Sequence, residues 1–141
     1  MPLAQPEAQL APGVEGVHQQ YSQLQKLGQA GGENVQGEQQ QVVDVLNYAL
    51  TLEHIEDVFY RTGNGASGLI PSQYSGIFNH IGLHEAQHVA LLQSVLGSAA
   101  VGRPELDLTA GGQYPDAATN FETYLTLSQT FEDLGVAAYK G

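Results

Sequence analysis

The segment IGLHEAQHVALLQSVLG, residues 81–97, carries ionisable side chains where an amphipathic helix would turn inward. Alternating steps of four and three from Ile81 land on Glu85, His88, Leu92 and Val95, so a carboxylate and an imidazole take two successive places on the apolar stripe. Burying an unpaired carboxylate is costly unless the group is protonated, paired or bound to a metal. A Glu-x-x-His at core positions therefore requires partners from elsewhere in the chain. Carboxylate oxygens with an imidazole nitrogen suit iron, manganese or zinc.

An internal repeat supplies those partners. TLEHIEDVFYR (51–61) aligns with TFEDLGVAAYK (130–140) at an offset of 132 − 53 = 79 residues, matching Thr51 with Thr130, Glu53 with Glu132 and Tyr60 with Tyr139. Each copy sets a Glu, and a Tyr seven residues later, on its inner stripe. Glu53, Glu85, His88 and Glu132 then converge from three helices as candidate metal ligands; the alternative is a buried hydrogen-bonded network without metal. Glu56 has no counterpart, because Gly135 takes its place, and is expected as a further acid beside the site. Tyr60 and Tyr139 are expected to hydrogen-bond carboxylates across the bundle while covering apolar area. His80, His84 and His88 follow at intervals of four, a spacing at which two histidines can chelate zinc. His80 and His84 read as surface or capping residues, with His84 among the side chains that support the site. His18 has no evident partner and no assigned role.

The elements that must position these residues are helical. From Glu38 to Arg61 a stripe of Val42, Leu46, Ala49, Glu53, Glu56 and Tyr60, widened by Val45, Leu52 and Phe59, defines helix one, and TGNGASGLIP ends it. Helix two follows Pro71 and Ser72 and stops at Gly97; helix three starts after Pro115 with Asp116 as N-cap. No alternating run of β-branched residues occurs, so the class is all-α. The connection GSAAVGRPELDLTAGGQYP, residues 97–115, is long. Helices of about 25 residues are roughly 37 Å long, and an extended chain of that loop's length covers the distance. Helix three can thus begin at the same end of the bundle as helix two, which gives one long crossover. Residues 1–37 form a Pro-, Gln- and Gly-rich segment in which Val14, Val17, Tyr21 and Leu24 predict a short amphipathic helix ending near Gly28, with GQAGGENVQG as linker; residues 38–141 form the helical domain.

Composition excludes several classes. The 141 residues, 15.0 kDa, fit one domain, and the absence of cysteine removes disulfides, thiolate metal sites and a thiol nucleophile. Four basic residues against fifteen acidic ones give a net charge of −11, which repels nucleic acid and anionic membrane surfaces. No run reaches the apolar length of a membrane span and no targeting segment is visible at MPLAQPEAQLAPG, so the chain reads as soluble. GNGASG follows a helix rather than a strand and reads as a flexible turn, not a nucleotide-binding loop. Abundant glutamine with little lysine points to an extracellular or cell-envelope location.

LNYALTLEHIEDVFYRTG, HEAQHVALLQSVLG and TFEDLGVAAYKG together resemble the ferritin-like superfamily, and more narrowly the ferritin-like domain of desiccation-related and stress-related proteins. The resemblance covers about residues 40–141. It implies that Glu53 and Glu132 are terminal ligands, Glu85 a bridging carboxylate and His88 a histidine ligand of a di-metal centre. By the repeat, a second Glu-x-x-His would begin near residue 85 + 79 = 164, beyond Gly141. The expectation is a ferritin-like bundle with three long helices and the fourth absent, in which ferroxidase-type activity arises only where a fourth helix completes the site. An open groove of that kind calls for a homo-oligomer. Two functions follow: a desiccation- or stress-type bundle protein binding iron or another divalent metal, or a structural, self-assembling protein that uses the same core as a scaffold without metal.

Overall fold

The computed structural model describes residues 34–140. They form helices α1 (Asn34–Gly65), α2 (Ser72–Leu96) and α3 (Phe121–Lys140), with one 3-10 turn at Gly97–Ala99 and no strand among the described residues. The chain divides between Val43 and Asp44, and the site lies in the second unit. The amphipathic helix expected around Val14, Val17, Tyr21 and Leu24 lies outside the described residues.

Side-chain contacts fix the topology. Asn47 in the first half of α1 donates to the Ala99 carbonyl and accepts from the Val101 amide, both at 2.9 Å, whereas Asn64 near its end donates to the Phe78 carbonyl at 3.0 Å. α2 therefore runs antiparallel to α1. On the other flank the Tyr60 hydroxyl meets Ser128 and Glu132, and Tyr139 reaches back to Glu53, so α3 is antiparallel to α1 as well. α2 and α3 are consequently parallel, with Phe78 against both Phe121 and Tyr124. Residues 97–120 make the one long crossover expected of a ferritin-like bundle.

The apolar core sits where the end of α1 meets the starts of α2 and α3. Phe59, Tyr60, Leu69, Phe78 and Tyr124 form it, and Tyr124 stacks on Phe59 with ring centroids 4.4 Å apart. Offset-stacked aromatics at this spacing contribute about 0.5–1.5 kcal/mol beyond area burial. Glycine makes the close approach possible. A Cβ on Gly63 would collide with the Tyr124 hydroxyl and ring, and one on Gly82 would lie 2.9 Å from Asn64 Nδ2 and 3.3 Å from Tyr60 Cβ.

Three element boundaries differ from the sequence expectation. α1 continues through TGNG to Gly65, because Gly63 and Asn64 are packing positions rather than turn residues. It also begins at Asn34, so the last four residues of the expected linker are helical. α3 begins at Phe121 instead of after Asp116. Asn120 is its cap, its side-chain oxygen accepting from the Glu122 amide at 3.0 Å, while Asp116 closes a separate turn by accepting from the Asn120 and Thr123 side chains.

The buried arc of α1 is wider than the expected stripe. Leu50, His54 and Asp57 are buried with Leu46, Glu53, Glu56, Phe59 and Tyr60, because α1 is flanked on both sides. Val45 is instead 67 % exposed. It lies two turns before Glu53, past the last described turn of α3, which ends at the level of Glu53.

Candidate metal centre

Halfway along α1, Glu53 and Glu56 sit one turn apart and both are buried. α2 brings Glu85, buried, and His88, about a third exposed, to the same level. The His88 Nδ1–H donates to Glu53 Oε2 and to Glu85 Oε2, each at 3.1 Å. One donor atom from each of Glu53, Glu85 and His88 lies within 4.8 Å of the other two. They face a cleft of about 320 Å³ that Glu56, Glu132 and Tyr139 also line.

α3 contributes to the cleft through hydroxyl–carboxylate pairs that cross to α1 in both directions. The Tyr139 hydroxyl donates to Glu53 Oε1 at 2.5 Å, and the Tyr60 hydroxyl donates to Glu132 Oε1 at 2.6 Å. These are the two copies of the Glu and Tyr repeat, each tyrosine serving the other copy's glutamate. Tyr60 is fully buried and its oxygen also lies 2.8 Å from Ser128 Oγ. Tyr139 turns its hydroxyl inward while 57 % of its surface stays exposed. Burial raises both phenols, and the carboxylates they serve raise them further, so both keep their protons and act as donors.

The acids do not titrate alike. Burial pushes Glu53 up, but hydrogen bonds from His88, Glu85 and Tyr139 outweigh it and hold this carboxyl below its ordinary 4.5. Glu85 goes the other way: burial and the neighbouring Glu53 carboxylate raise it against the pull of His88. Glu56 is pushed up to about 9 by burial and then by the Glu85, Glu53 and Glu132 carboxylates. His88 is raised to about 10 by its hydrogen bonds to Glu53 and Glu85, which exceed the opposing effect of burial. Protons on Glu56 and His88 thus offset part of the negative charge that a cation could also offset.

Glu53, Glu85, His88, Glu132, Glu56, Tyr60 and Tyr139 are brought to this one region. Glu132 lines the cleft but stands outside the three-residue donor group, with one oxygen engaged by Tyr60. His84 is not brought to it: the side chain is exposed and its ring packs edge-on against His80. Sequence reasoning assigned no role to Ser128, whose signal was a hydroxyl aligned with Ala49 on the repeated stripe. It also missed His54, buried beside Glu53 with neither ring nitrogen hydrogen-bonded. No period marks that residue, since it falls off the expected stripe.

The donor set fits a hard or borderline divalent cation: two carboxylates and one imidazole in a cleft that holds further acids. Comparison with known proteins places residues 41–141 in a match to the family model described as a ferritin-like domain. No curated protein and no solved structure matches the chain.

Proposed function

The chain belongs to the ferritin-like domain family, and on that premise we propose that it binds a divalent transition metal, iron foremost and manganese or zinc as alternatives, through Glu53, Glu85 and His88. The observation that carries this is the convergence of three donor atoms within 4.8 Å from two helices, in a cleft that the further acids Glu56 and Glu132 also line. Glu132, which lines the same cleft from α3, is the fourth candidate ligand.

Each residue has a part in holding the ion. His88 presents Nδ1 to the same point as the two carboxylate oxygens and becomes a ligand on losing its proton. Glu85, raised by burial and by the Glu53 carboxylate, would bind the ion in its ionised form. Tyr139 fixes the orientation of Glu53 through the other carboxylate oxygen, leaving Oε2 for the cation, and Tyr60 does the same for Glu132. Glu56 holds a proton beside the donor group and is placed to take or give it as charge in the cleft changes. Iron, when bound, supplies redox chemistry toward oxygen. We assign the protein to the desiccation and stress type on the resemblance of its three helical segments.

The test is metal analysis of protein purified without chelator, beside a Glu85→Ala/His88→Ala variant. Metal in the wild type and its loss from the variant is the expected result; equal and negligible metal in both, with no uptake on later addition of iron(II), manganese(II) or zinc(II), rejects it.

A second reading rests on the exposed apolar side chains of α3. Leu125, Val136 and Tyr139, 46 %, 51 % and 57 % exposed, are spaced for one helical stripe beside the cleft. They favour a self-assembling scaffold. Light scattering at micromolar concentration separates the readings: assembly that persists in the Glu85→Ala/His88→Ala variant, with iron(II) oxidation no faster than background, supports the scaffold over metal chemistry.

A further inference from the structure

His80 and His84 lie four residues apart on α2, a spacing that on an α-helix advances about 6 Å along the axis and returns to nearly the same face. Their rings are already in contact, centroids 4.4 Å apart and planes inclined at 61°. Both residues are exposed. Among the described residues neither imidazole has a hydrogen-bonding partner, so no lone pair is committed elsewhere. His88, the next residue in the same series, turns Nδ1 to Glu53 and Glu85 and belongs to the interior cluster.

We propose that His80 and His84 form a second cation site, a solvent-exposed bis-imidazole chelate for a borderline divalent ion of the copper(II) and zinc(II) class. Two histidines at i and i+4 on one helix face are a geometry that binds such ions, and imidazole selects copper, nickel and zinc over magnesium or calcium. The rings' existing contact lowers the ordering cost of chelation, since neither side chain has to be drawn across the surface to reach the other. Water completes the coordination sphere at an exposed position. The net charge of −11 raises the local concentration of any cation around the chain. This site and the interior cluster differ in chemistry: one offers nitrogen donors alone, the other mainly carboxylate oxygen.

Copper(II) is the probe, because nitrogen ligands leave a superhyperfine pattern in its electron paramagnetic resonance spectrum; since His88 also offers one imidazole nitrogen, the variants tell the two sites apart. One equivalent of copper(II) added to the full chain is expected to show coupling to imidazole nitrogen, retained in Glu85→Ala/His88→Ala and lost in both His80→Ala and His84→Ala. Both alanine positions are exposed in α2, so circular dichroism of the single variants is expected to match the wild type and exclude unfolding as the cause. Copper(II) titrated against the zinc-loaded protein should displace zinc from the same site. An unchanged nitrogen pattern in a His80→Ala/His84→Ala double variant overturns the proposal, as does a pattern that disappears only with His88. Failure here leaves the interior cluster untouched, because that is tested by the Glu85 and His88 substitutions.

Discussion

The Glu56 carboxylate lies against the Cα of Gly135: a Cβ built on that glycine would sit 3.2 Å from Glu56 Oε1. The two positions are equivalent in the internal repeat, since 56 + 79 = 135. They face each other because α1 and α3 are antiparallel about a local twofold relation, in which Tyr60 meets Glu132 and Tyr139 meets Glu53. A residue close to that axis meets its own copy. Two glutamates could not both be accommodated there, as they would compete for one volume and repel one another, so one copy carries the acid and the other carries no side chain.

Gly135→Ala is therefore expected to leave stability within about 1 kcal/mol of wild type, the gain in helix propensity being offset by crowding of Glu56. In a Glu56→Ala background the same substitution should stabilise by about 1 kcal/mol, because the propensity gain is then unopposed. Urea denaturation of the four proteins measures this. An equal effect of Gly135→Ala in both backgrounds would contradict the packing.

Tyr60→Phe is expected to cost about 1.5–3 kcal/mol, the range for a buried hydrogen bond to a charged group. It strips Glu132 and Ser128 of a shared partner in a fully buried setting. Tyr139→Phe should cost less, because water reaches this half-exposed side chain and can replace the hydroxyl on Glu53. The reverse order in chemical denaturation would show that the two copies of the contact are not placed as described.

Gly63→Ala is expected to destabilise by about 1–3 kcal/mol or more, since the new methyl group drives into Tyr124, whose ring is held against Phe59. The Tyr124 hydroxyl is buried with no hydrogen-bonding partner. Tyr124→Phe alone should then be neutral or stabilising, and should recover part of the loss in the Gly63→Ala protein. Absence of any recovery in thermal melts would place the collision elsewhere.

Without metal, stability should fall as pH rises above neutrality. Glu56 and His88 both bind protons more tightly in the folded state than in the unfolded chain. Their contributions are complete below the unfolded values of 4.5 and 6.5, and are lost as pH climbs through about 9 for Glu56 and about 10 for His88. Glu53 has the opposite sign: its contribution is present above 4.5 and is lost as pH falls through its lowered folded value. Melting temperatures of the metal-free protein across this range should decline on the alkaline side. The decline should be shallower in Glu56→Gln, which removes one of the titrating groups.

Helix existence, the long crossover and the convergence of Glu53, Glu85 and His88 were readable from the chain alone. Periodicity reports which face of a helix turns inward, and the repeat reports which helices are equivalent. Boundaries were not readable where glycine serves packing instead of punctuation. Gly63 in TGNG looks like a helix stop, and only the position of Tyr124, brought near from the far end of the crossover, explains why the helix runs on. The cap of α3 was misplaced for a related reason: Asp116 and Asn120 are both good capping residues, and the tertiary position of Phe121 against Phe78 and Tyr74 decides between them. His84 shares its spacing with His88 but faces solvent, since each step of four also rotates about 40° around the helix.

Anomalous diffraction at the metal absorption edge, from crystals grown with iron(II) under anaerobic conditions or with manganese(II), tests the central proposal most directly. The expected result is a peak in the cleft within coordinating distance of Glu53 Oε2, Glu85 Oε2 and His88 Nδ1, about 2.0–2.3 Å from each. The peak should vanish in Glu85→Ala/His88→Ala. A cleft without anomalous density in the wild type at saturating metal, with Glu53, Glu85 and His88 still hydrogen-bonded to one another, would contradict it.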